Sequence, residues 1–164
     1  MSFLRIGTLI SIFALSACGF HLRGMGEIDR PLPYQSWQIS QTQELEEYLH
    51  DELKRHSVEV AHSNKASHAA EILLIQMEKN RDVGSLSRIG TVSEYIFSLK
   101  VGVEVKLHSN QIGKPIFVSL QRRQSYSDND LFGKQLEEEA LWQDMYQDAA
   151  VQIVRQLPYL NDNN

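Results

Sequence analysis

The sequence predicts an α+β fold: a two-layer sandwich in which two helices pack on one face of a roughly four-stranded mixed β-sheet. Three observations carry that expectation. Tyr95, Phe97, Leu99, Val101, Val103, Val105 and Leu107 occupy alternate positions, the mark of a long strand with one buried face. Two apolar stripes at helical spacing, over residues 41–56 and 134–157, supply cover for such a face. The chain of 164 residues, 42% hydrophobic and 23% charged, has material for one core rather than two.

The first element precedes the fold. Ahead of Cys18 the chain reads MSFLRIGTLISIFALSA, with Arg5 as a positive start, an apolar run over residues 6–15, and the small residues Ser16 and Ala17. That run is shorter than the roughly 20 apolar residues a membrane span needs, so it reads as a secretion signal. Leu15-Ser16-Ala17-Cys18 is similar to a bacterial lipobox, in which diacylglycerol alkylates the cysteine thiol and the preceding peptide bond is cut. Residues 1–17 are therefore expected to be removed, leaving Cys18 as a lipidated first residue. Buried methylenes contribute about 0.8 kcal/mol each, so three acyl chains would hold the protein on its membrane. Gly19, where inner-membrane lipoproteins typically carry Asp, points to the outer membrane. Cys18 is the only cysteine, so no intramolecular disulfide can form.

Residues 18–35, rich in glycine and proline, read as an extended tether, and residues 36–164 as one α+β domain. Residues 37–40 suit a short strand with Trp37 and Ile39 on one face. Ser40 and Gln43 have the spacing of a capping box, and Leu45, Tyr48, Leu49, Leu53 and His56 then repeat on one helical face. Residues 57–61 suit either the helix exit or a short edge strand, and a polar loop follows over 62–68. An unbroken apolar centre at residues 72–75 predicts a strand over 71–79, covered on part of both faces.

The long strand of alternating residues comes next, then a turn at SNQIGK, then a returning strand over 116–126 that completes a hairpin. The last helix bears Leu136, Ala140, Leu141, Met145, Ala149, Ile153 and Leu157 on a broad stripe and is ended by Pro158. Glu137, Glu138 and Glu139 lie in its first turns, where the positive helix end favours them.

The formal charge of -5 argues against a protein that coats nucleic acid. No G-x-S-x-G, H-E-x-x-H, P-loop or G-x-G-x-x-G occurs, so neither catalysis nor a cofactor is expected. His50, His56, His62 and His68 recur every six residues. Six residues turn a helix by about 600°, so neighbours diverge, and solvated surface histidines are expected rather than a metal site.

Three stretches together resemble one family. LSACGFHLRG is similar to the start of the LPS-assembly lipoproteins LptE, where a lipidated cysteine leads into Gly-aromatic-His-Leu-Arg, matched by Gly19, Phe20, His21, Leu22 and Arg23. SEYIFSLKVGVEV resembles that family's Glu-Tyr strand, and RRQSYSDN with EEEALWQDMYQDAAVQIVRQLP its last strand and final helix. The resemblance implies a two-helix, four-stranded sandwich that plugs the outer-membrane β-barrel LptD in a 1:1 complex, supports its assembly, and helps deliver lipopolysaccharide to the outer leaflet. An acidic protein can hold the phosphates of lipopolysaccharide only through clustered cations. The candidates are Arg88, Arg122, Arg123 and Lys134, and the hairpin is expected to bring Arg88 or its neighbours close to Arg122 and Arg123. The competing expectation is a free-standing outer-membrane lipoprotein that binds or transfers lipid without a barrel.

Overall fold

The computed structural model describes residues 30–40, 42–61, 70–107, 112–126 and 131–160. The signal segment, Cys18, most of the tether and the 62–68 loop lie outside the described residues.

Strand β1 (Ser36–Ser40) leads through a 3-10 turn (Gln43–Leu45) into helix α1 (Glu46–Arg55) and then strand β2 (Glu59–Ala61). Strands β3 (Ala70–Leu86), β4 (Val92–Lys106) and β5 (Ile116–Ser125) follow, then helix α2 (Leu131–Gln156) and a closing 3-10 turn (Leu157–Tyr159). Among the described residues the strands form one mixed sheet in the order β2-β1-β3-β4-β5. β1 pairs in parallel with both β2 and β3, whereas β3, β4 and β5 form an antiparallel meander. The fifth strand is β2, the edge-strand alternative weighed for residues 57–61.

The sheet packs on the helices through the face that alternation predicts. Phe97, Leu99, Val101, Val103 and Val105 are buried, and the residues alternating with them in β4 are half-buried or exposed, Gly102 excepted. α1 contributes Leu49 and Leu53, and α2 contributes Met145, Ala149, Ile153 and Val154. Burying each large apolar side chain stabilises the fold by about 1.5–3 kcal/mol. Phe97 meets Trp142 edge to face at 5.3 Å, which fixes the crossing of α2 over the sheet. At the other margin Trp37 is fully buried, stacks against Tyr34 and donates its indole N–H to the Tyr34 carbonyl.

Four local expectations are corrected. β3 does not stop at Lys79 but pairs with β4 as far as Leu86. From Glu78 onward its side chains are exposed, so backbone pairing sustains it and no apolar alternation marks it. Ser40 remains within β1 and does not cap a helix, because the Thr42 carbonyl opens the 3-10 turn by accepting the Leu45 N–H. α2 begins at Leu131, ahead of Lys134, and its side chain Leu136 is 54% exposed. Among the described side chains of α2 the buried face starts at Trp142, because the turns before it lie over the polar outer half of β3.

Candidate functional site

β5 ends at Ser125, opposite Glu94, while β3 and β4 continue to the pair Leu86–Val92. Residues 87–91 close that hairpin. The Ser87 N–H donates to the Thr91 carbonyl, the two side-chain hydroxyls are 2.8 Å apart, and Gly90 takes the left-handed conformation (φ 84°) the turn requires. The hairpin end exposes Val83, Leu86 and Ile89, the last at 86%. Arg88 sits in this turn, exposed, with no ion pair among the described residues.

Register decides where the other expected cations go. Arg81 of β3, Phe97 of β4 and Arg122 of β5 lie in one row and point to the helix side. Arg123 is in the next row on the opposite face, 3.6 Å from Glu94. Arg122 turns toward the middle of α2, 3.8 Å from Asp144 and hydrogen-bonded to Asp148. The expectation that Arg88 would lie beside Arg122 and Arg123 is not met. Four residue steps along β4 lead from Ile96, opposite Arg123, to Val92, a run of roughly 13 Å before the turn begins.

Lys134 instead shares a groove with a residue that sequence reasoning missed. A groove of about 390 Å³ between the sheet and the first turns of α2 is lined by Arg81, Gln124, Tyr126, Lys134, Gln135 and Glu138. The Arg81 guanidinium stacks 3.8 Å from the Tyr95 ring and pairs with Glu138 at 3.2 Å. Lys134 Nζ donates to Glu137 Oε2 at 2.6 Å, and Gln124 Nε2 donates to the same oxygen at 3.1 Å. Those two hydrogen bonds hold the Glu137 carboxyl below its ordinary value. Arg81 was missed because it sits in the unpatterned outer half of β3. Its signal is its place in an alternating set with Lys79 and Val83.

A second groove of about 600 Å³ lies between the 3-10 turn, α1 and α2, lined among others by Glu44, Tyr48, Lys79, Trp142 and Tyr146. Lys79 Nζ is 4.6 Å from the Trp142 ring centre. The Tyr146 hydroxyl donates to Glu44, and burial together with that carboxylate pushes the phenol up.

His50 and His56 are half-buried along α1 rather than solvated, beside Asp51 and Glu52 respectively, because they border the apolar stripe. His62 and His68 lie outside the described residues. Among the described residues, no three His, Cys, Asp or Glu side chains are grouped to hold a metal ion, and no helix is long and apolar enough to cross a membrane. The chemistry this end of the molecule offers is the recognition of an oxyanion by guanidinium, ammonium and amide donors.

The comparisons agree with one another. Residues 34–157 match the family model described as LptE: Lipopolysaccharide-assembly. The chain is 28% identical over 151 residues to an LPS-assembly lipoprotein LptE of Yersinia enterocolitica, covering 90% of this chain and 72% of that one. It is 28% identical over 161 residues to the protein of the same name from Photorhabdus laumondii, covering 93% and 85%. Among solved structures it is similar to the solution structure of lipoprotein B from Nitrosomonas europaea, with a TM-score of 0.70 and 27% identity over 88% of this chain and 94% of that one. The rare lipoprotein B of Shewanella oneidensis shares the fold, with a TM-score of 0.67 at 23% identity over 79% of this chain and 98% of that one.

Proposed function

Because the chain belongs to the LptE family of lipopolysaccharide-assembly proteins, we propose that it is an outer-membrane lipoprotein, anchored through Cys18, that fills the lumen of an LptD β-barrel. In this role it supports assembly of the barrel and assists delivery of lipopolysaccharide to the outer leaflet. The observation that supports the reading best is the sheet face turned away from both helices. Along β5 the burial alternates, with Phe117, Ser119, Gln121 and Arg123 outward, and cross-strand pairs Lys100–Glu78 and Lys106–Glu71 lie on the same face at 3.6 and 3.7 Å. A broad, largely polar face suits the polar lumen of a large barrel, where a wholly apolar face would not be matched.

The hairpin end supports the second half of the proposal. Arg88 in the turn and Lys134 in the groove offer the donors that phosphates on lipopolysaccharide require. The test is affinity purification of the tagged full-length protein from its own outer membrane in mild detergent. Recovery of one large barrel protein in equal amount is the expected result. Recovery of the lipoprotein alone, under conditions that preserve other membrane complexes, would overturn the plug and favour a free-standing lipid-binding protein.

A further inference from the structure

We propose that the groove between the sheet and the first turns of α2 is a phosphate site which the protein keeps closed with its own acids: Glu137 and Glu138 occupy the cations that a phosphorylated glycolipid must take over. The inference rests on the reading of lipopolysaccharide contact at this end, and adds to it Arg81 and the means of control.

The geometry is that of an anion already seated. Lys134 on α2 and Gln124 on β5 come from different elements and converge on one oxygen of Glu137. Arg81 is held over the Tyr95 ring and directs its Nη1 at Glu138. Carboxylates and phosphates compete for the same donors, in the same charge-assisted hydrogen bonds. With both acids in place, the two cations Arg81 and Lys134 are neutralised; once the acids swing away, the groove is doubly positive.

Exchange is easy in this setting because the pairs are not buried. The side chains of Glu137 and Glu138 are 55% and 27% exposed, and those of Arg81 and Lys134 40% and 24%. Exposed pairs contribute little to stability, so opening them costs the fold little. A phosphate brings up to two charges and three acceptor oxygens against the single charge of each carboxylate. A groove that is neutral at rest therefore discriminates against weakly charged lipids and yields to a phosphorylated one.

The experiment uses the full-length lipidated protein in mild detergent, immobilised, with purified lipopolysaccharide as the probe. Wild type is compared with Glu137→Gln, Glu138→Gln, their double variant, and Arg81→Gln/Lys134→Gln, with the thermal midpoint of each recorded. The double glutamate variant is expected to bind about three- to tenfold more tightly than wild type, the gain set by release of two exposed pairs. Arg81→Gln/Lys134→Gln is expected to lose binding, and lipopolysaccharide stripped of its phosphates is expected to bind every form equally. Wild-type binding with no gain in the glutamate variants would overturn the self-closure and leave lipopolysaccharide contact standing. Equal competition by phosphatidylglycerol micelles would overturn the assignment to a glycolipid phosphate. Absence of binding by every folded form would overturn both the inference and the reading beneath it.

Discussion

The ring of Phe117 lies over the bare Cα of Gly102, its direct partner across β4 and β5. A Cβ on residue 102 would stand 2.7 and 2.9 Å from two ring carbons of Phe117 and 3.2 Å from Gln76 Cβ. The aromatic ring thus covers a strand position that offers no side chain of its own, on the face that the helices leave open. Gly102→Ala is expected to destabilise the protein by about 1–3 kcal/mol, by displacing the ring. In Phe117→Ala the same substitution should cost distinctly less. Urea unfolding of the four proteins in the cycle checks this, and a Gly102→Ala cost independent of residue 117 would refute the contact.

Ser57 follows α1 with φ 59°, where the Lys54 carbonyl accepts its N–H. Only glycine adopts that left-handed conformation without strain. Ser57→Gly is expected to raise stability by about 1 kcal/mol, the cost a Cβ suffers in this region. Thermal unfolding measures it, and an unchanged or lowered midpoint would count against the strain.

Tyr146 links α2 to the 3-10 turn through Glu44. Burial, then the Glu44 hydrogen bond and charge, raise the phenol above its ordinary value of 10.0. Above that pH the unfolded chain releases the proton while the folded chain retains it, so rising pH favours unfolding. The contribution is fully present below about pH 10 and is lost as pH climbs past it. Tyr146→Phe is expected to lower stability by about 1 kcal/mol at neutral pH and to remove most of the decline above pH 10. Tyr48, raised by burial and by Glu47, adds to the decline in the same direction. Parallel stability curves for the two proteins above pH 10 would exclude Tyr146 as the source.

Arg88 and Lys134 are far enough from the core to be reversed in charge without unfolding the protein. Arg88→Glu with Lys134→Glu is expected to weaken lipopolysaccharide binding by about tenfold or more, since each loses a charge-assisted contact and gains a repulsion. The thermal midpoint should move by no more than the loss of one exposed pair, under about 1 kcal/mol. Unchanged binding would remove both residues from the site.

Elements with one buried face were legible because burial writes its period into the side chains. β4 alternates from Tyr95 to Val105 since every second residue meets α1 or α2, and the stripe Leu45, Leu49, Leu53 marks the inner side of the first helical segment. Where burial stops, the period stops with it. The outer half of β3 is a strand only because β4 lies beside it, a relation between distant residues that no local window contains. Arg81 was hidden for that reason. Leu136 misled in the opposite sense, since helical spacing cannot report that the sheet beneath it has ended in polar side chains. Arg122 and Arg123 are neighbours in sequence, yet strand alternation sends one to the helices and the other to the open face.

The unequal lengths of the meander set a gradient of cohesion along it. Near Ile72 and Val103 the strands have a helix above and a partner on either side, so exchange of their amide protons awaits unfolding of the whole. Toward Leu86 and Val92 the ladder continues with solvent on its side chains and, past Glu94, with no third strand. There the bonds between strands are all that resist opening, and a two-stranded ribbon is marginal in water. The hairpin end is thus expected to lose amide protection well before the packed half does, fraying at its tip without any hinge in the core.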